Sequence, residues 1–203
     1  MFNLVKGVNV KNLDGIYESY KVQNTKDFCF ISVNVSAEKI GALFKELCSY
    51  VRTPGFLVIE VPTNANIEKE IRKNDTDSFH NDAYYIDGQS YEDIAAIFDK
   101  YSELLINDGF VKFGFGSHSG YDEIFVVDYK IFHIYADEPQ KYLDVLERYE
   151  IKKKEDYKTV WENFSPESPG SSMSIHIDGC SIYDMVEELK GNGLYFAERR
   201  ERK

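Results

Sequence analysis

Cysteine is scarce in this chain: Cys29, Cys48 and Cys180 are an odd number at wide spacing, with no C-x-x-C pair. That excludes a disulfide framework or a zinc knuckle as the source of stability. Cys29 and Cys48 fall within apolar patterns, where a free thiol serves as a small core residue. Long apolar runs are missing too. Nothing approaches the roughly eighteen consecutive apolar residues of a membrane span. The opening Met1-Phe2-Asn3-Leu4-Val5-Lys6 lacks the apolar stretch of a signal peptide. These absences lead to the expectation of a cytoplasmic protein.

Positive charge is also short. There are 24 basic residues against 35 acidic ones, for a net charge of −11. Such a field repels phosphate backbones and anionic lipid, so neither nucleic acid nor a membrane surface is an expected partner. A basic protein is electrostatically the easier partner, although acidity alone also keeps soluble proteins dispersed.

Catalytic signatures are absent as well. There is no G-x-S-x-G elbow, no H-E-x-x-H, and no Cys near a His to suggest an activated thiolate. His80 with Asp82 and His176 with Asp178 each read His-x-Asp, and His118 and His133 stand apart. No ligand spacing ties them together, so no metal and no cofactor is expected.

What the chain does have is a segment present twice. Tyr85-Ile86-Asp87-Gly88-Gln89-Ser90-Tyr91-Glu92-Asp93-Ile94 returns as His176-Ile177-Asp178-Gly179-Cys180-Ser181-Ile182-Tyr183-Asp184-Met185. Asp-Gly permits a sharp turn, and Ser-x-x-Asp caps a helix start by satisfying its orphan N–H groups. Each copy therefore reads as a strand feeding a capped helix.

Three units follow that plan. The first runs from strand 28–35 through Ser36 into a helix with Ile40, Leu43, Phe44, Leu47 and Val51 on one face, then strand 56–61. The second runs from strand 83–86 into the helix capped by Ser90, with a left-handed stop expected at Asn107-Asp108-Gly109 and a return strand over 110–115. The third runs from strand 173–177 into the helix capped by Ser181, and strand 194–197 leads into a charged tail expected to be frayed. Between units two and three, strands 123–127 and 131–135 make a hairpin. A helix then follows Pro139, and another spans 157–164.

The pattern predicts an α+β fold: a mixed, largely antiparallel sheet with helices mainly on one face, built from strand-helix-strand units and ferredoxin-like in plan. One domain over 1–203 is expected. The alternative is a main domain over 1–164 and a small βαβ module over 171–203, divided by Ser165-Pro166-Glu167-Ser168-Pro169-Gly170-Ser171-Ser172.

Two functional readings arise. Tyrosines, including Tyr84, Tyr85, Tyr121 and Tyr135, alternate with carboxylates such as Asp87, Asp122, Glu123 and Asp137. Aromatics that anchor and acids that steer suit a non-catalytic domain binding a basic protein, such as an immunity or antitoxin-like inhibitor. The rival is a small ligand-binding protein or enzyme using the loop from Gly114 to Glu123. There His118 would act as acid or base and Asp122 or Glu123 would orient it. Otherwise that loop reads as a mobile hairpin connection.

Overall fold

The computed structural model describes residues 2–202. In chain order its elements are β1 (Val8–Asn9), β2 (Ser19–Asn24), β3 (Cys29–Asn34), α1 (Ile40–Cys48), β4 (Gly55–Pro62), α2 (Ala65–Ile71), β5 (His80–Gln89), α3 (Tyr91–Asn107), β6 (Lys112–Ser117), β7 (Glu123–Val126), β8 (Phe132–Ala136), α4 (Gln140–Arg148), β9 (Lys152–Lys153), β10 (Ser171–Ser172), α5 (Ile182–Lys190) and β11 (Tyr195–Glu201). This is the expected α+β class. Nine strands form one sheet in the order β11-β5-β4-β6-β7-β8-β3-β2-β9, and β1 pairs with β10 separately. Only β2 and β9 run parallel; the other neighbours are antiparallel. Strands from both sides of the 165–172 segment thus share the large sheet.

Helices α5, α3, α1 and α4 lie side by side, in that order, over one face. Their apolar stripes meet the strand residues that point the same way. Phe44 of α1 packs 5.0 Å from the Phe113 ring, and Phe98 of α3 packs 5.8 Å from it. Leu57, Ile59, Phe113, Phe115, Ile124, Ile134, Ile31 and Val33 are all buried along this layer. Cys29 and Cys48 are buried free thiols, as their apolar surroundings imply.

The two copies of the duplicated segment diverge in backbone while keeping their caps. Ser90 and Ser181 both form full capping boxes, with Asp93 and Asp184 respectively. In the first copy Gly88 (φ +73°) is an extra residue inside β5, where the ladder to β4 slips between Gly55 and Phe56. That is a bulge rather than a turn. In the second copy Asp178 (φ +50°) and Gly179 (φ +81°) are the centre of a two-residue turn closed by reciprocal bonds between Ile177 and Cys180. Two successive positive φ values mark the primed hairpin turn.

Several expectations need correction. Residues 173–177 are not a strand; the pairing stops at Ser171–Ser172, opposite β1. The 157–164 helix shrinks to a single 3₁₀ turn, Val160–Asn163. Ser36 stands at a helix start but makes no side-chain cap, because its hydroxyl accepts the Asn3 N–H at 3.2 Å. After α3, Asp108 is extended, and Gly109 is needed for contact instead of for a left-handed turn: a Cβ there would strike the Gly7 carbonyl. The charged tail is not frayed. Arg199 grips buried Asp82 (Nε to Oδ1 2.6 Å), and Arg202 donates to Asn81 at 2.8 Å. Lys203 lies outside the described residues.

Lys130 lies in the turn between β7 and β8 and is buried. Its Nζ donates to the carbonyls of Leu105 (2.9 Å) and Val111 (2.7 Å), tying the end of α3 to the start of β6. Burial is the main cause that lowers its pKa to about 7. The folded state therefore disfavours the ammonium relative to the unfolded chain, where the ordinary value is about 10.4. That cost is complete below about pH 7 and disappears as pH rises through the unfolded value.

Wild-type stability in urea should accordingly climb between pH 7 and 10, and the Lys130→Met variant should show a flatter profile. Ser90→Ala and Ser181→Ala should each lower unfolding stability by ~1 kcal/mol by the usual cap magnitude, read from the same urea midpoints.

Candidate binding face

Strand alternation sends every second side chain to the sheet face that carries no helix row. Strand β6 governs what that face looks like. Phe113 and Phe115 point to the helices, leaving Gly114 and Gly116 on the opposite side. The Phe125 ring lies directly on Gly114, where a Cβ would sit 2.7 Å from it, and the Phe56 ring lies on Gly116 with no room for a Cβ. The glycines allow aromatic rings to lie flat across the sheet.

Two aromatic groups spread from this strip. On the β4–β5–β11 side, Phe56 is 5.6 Å from Tyr85 and 5.4 Å from the His118 ring, and Tyr85 is 6.5 Å from Tyr195. On the β8–β3 side, Phe30 packs 5.0 Å from His133 and 5.2 Å from Tyr135, while Phe28 bridges Tyr135 and Tyr121. Between the groups runs a band of charge. Arg200 pairs with Glu60 and Glu198 and donates to the Tyr85 hydroxyl at 3.0 Å. Lys112 lies 3.9 Å from Glu60 and 2.8 Å from Asp128. Glu123 has its carboxyl held above the ordinary range by burial, with Glu60 adding to the effect and Arg200 opposing it. Burial also holds the His133 imidazole below its usual value. One end of the face is closed by the chain after β9: Tyr157 shares a 2.8 Å hydrogen bond with Ser32, and Asn34 donates to the Lys158 carbonyl at 2.7 Å.

The residues singled out in the sequence distribute unevenly. Tyr85 and Tyr121 reach the open face. Tyr84 points the other way, buried, with its ring 5.7 Å from Phe196. Asp122 is buried in an ion pair with Lys141 at 2.6 Å, and Arg52 lies 3.6 Å away. It anchors the loop and cannot orient His118. Glu123 stands in the charged band. His118, 45 % exposed at its side chain, finds Asp87 instead, Nε2 to Oδ1 3.3 Å. The other oxygen of Asp87 accepts the Tyr195 hydroxyl at 2.7 Å. The 114–123 connection is held rather than mobile: Ser117 N–H bonds the Asp122 carbonyl at 2.8 Å, and Tyr121 N–H bonds Asp137 at 3.2 Å.

Sequence reasoning missed Phe30, Phe56, Phe125, His133, Glu60 and Arg200. The signal was present as alternation: Phe30 and Ser32 interleave with Ile31 and Val33, and Gly114 and Gly116 with Phe113 and Phe115. Among the described residues no group of three or more His, Cys, Asp or Glu converges as a metal site, and no helix is long and apolar enough to cross a membrane. No family model, no curated protein and no solved structure matches the chain.

Gly114→Ala forces its methyl against both the Phe125 ring and backbone, and should destabilise by about 1–3 kcal/mol, the usual overpacking range. At Gly116 the nearest atoms to an added methyl belong to the Phe56 side chain and not to backbone, so Gly116→Ala should cost less in the same denaturation series. Glu123→Gln should be more stable than wild type at neutral pH, because the buried charge is removed. The difference should vanish below the ordinary carboxylate range, where wild-type Glu123 is neutral in both states.

Proposed function

We propose that this chain is a non-catalytic binding module that docks a basic protein on the open face of its sheet, in the manner of an inhibitor of that partner. The observation that carries the reading is the aromatic content of the face: Phe28, Phe30, Phe56, Tyr85, Tyr121, Phe125, Tyr135 and Tyr195 are all half-buried or exposed there. Rigid aromatic side chains anchor interfaces at small entropic cost, and Tyr supplies a hydrogen bond at the rim. The carboxylates of Glu60, Glu123, Asp87 and Glu198 stand among them, in a chain of net charge −11. Such a field speeds the approach of a cationic surface and rejects anionic ones.

A second reading draws on the pairing of His118 with Asp87, an acid/base couple at the rim of the same face. Against it stands the exposure of His118, which leaves water in competition with any substrate.

Immobilised wild-type protein should retain a basic partner from lysate at low salt and release it as salt rises. Phe30→Ala with Tyr135→Ala should weaken that capture by about 2 kcal/mol or more, roughly thirtyfold. His118→Ala should leave it nearly unchanged. Equal capture by the double variant rules out the open face as the docking surface.

A further inference from the structure

Between the end of β4 and the start of β5, residues 63–79 border a cavity of about 540 Å³. That lies within the 300–1,000 Å³ typical of small-molecule sites. Its charged lining is inverted relative to the rest of the chain: Lys69, Arg72, Lys73 and Arg202 against Glu68 and Asp75. Glu68 is already engaged, since Oε1 accepts the His80 N–H at 2.6 Å and Oε2 lies 3.2 Å from His80 Nδ1. Among the described residues, the carboxylate ion pairs of the chain include none of these four cations.

The two guanidinium groups are held in place by neutral partners. Arg72 donates to the backbone carbonyls of Asp75 (2.8 Å) and Asp77 (2.9 Å) and stacks 3.9 Å from the centre of the Phe79 ring. Arg202 donates to the Asn81 side chain at 2.8 Å and sits 6.0 Å from that same ring. Cations near the end of α2 gain from the helix dipole, which accounts for Lys69 and Arg72. It does not account for Arg202, delivered from the end of β11, nor for Lys73, which lies beyond the helix after an extended Arg72.

We propose that this cavity binds a small phosphorylated anion. Preset guanidinium forks match pairs of phosphate oxygens, and the lysines add charge from the exposed side. The chain as a whole repels anions, so any affinity must come from this local convergence. Arg202 also borders a second cavity with Lys112 and Asp128, so the site adjoins one end of the charged band without using the aromatic groups.

The test follows backbone amide NMR shifts of the full chain during titration with inorganic phosphate and then pyrophosphate, with chloride holding ionic strength constant. Saturable shifts concentrated in residues 63–79 and around Arg202 are expected, with pyrophosphate the tighter ligand. Lys69→Gln with Lys73→Gln changes two exposed side chains and should weaken binding roughly tenfold or more, as should Arg202→Gln in a parallel titration. Shifts that do not saturate, or spread evenly over the surface, overturn the proposal. So does unchanged affinity in the double variant whose spectrum otherwise matches wild type.

Discussion

The alternation of one strand commits both faces of the sheet. Strand β6 buries Phe113 and Phe115 on the helix side, Phe113 against α1 and α3, and sets Gly114 and Gly116 beneath the rings of Phe125 and Phe56. A single-residue slip would expose the phenylalanines and drive the glycines into the core. The helix layer thus fixes the register, and the register in turn decides which aromatics remain available to solvent.

The fold class was legible because it rests on short-range chemistry. Helical stripes such as Ile94, Phe98, Tyr101 and Leu105, and the capping boxes of Ser90 and Ser181, act within a few residues of one another. The errors came where distant chain segments compete for the same groups. Ser36 loses its capping role to Asn3, and Gly109 serves a contact with Gly7 a hundred residues away. The tail from Arg199 onward looks solvated when read alone, yet Asp82 and Glu60 hold it. The duplicated Asp-Gly makes the same point: local chemistry permits positive φ, and the neighbouring strand decides whether it becomes a bulge or a turn.

The binding face was only half legible. Tyr85, Tyr121 and Glu123 could be picked out by composition, but so could Tyr84 and Asp122, which are buried. Composition does not say which way a side chain points. Adjacent tyrosines in a strand face opposite ways: Tyr84 shares its side with buried Ile86, and Tyr85 shares the other with exposed Asp87. The cation-lined cavity was less visible still, because Arg202 joins Lys69 and Arg72 only once β11 pairs with β5.

That last pairing also shapes how the molecule comes together. Tyr195 meets Tyr85 and Arg200 meets Asn81 across more than a hundred intervening residues. Closing so large a loop is slow, because chain entropy is surrendered before the contact rewards it. The hairpin of β7 and β8 and the turn into α3 are local and need no such search. Phe30 of β3 meets Tyr135 of β8 across a comparable stretch of chain, so both aromatic groups of the open face should be completed late along the folding route, after these local elements have formed.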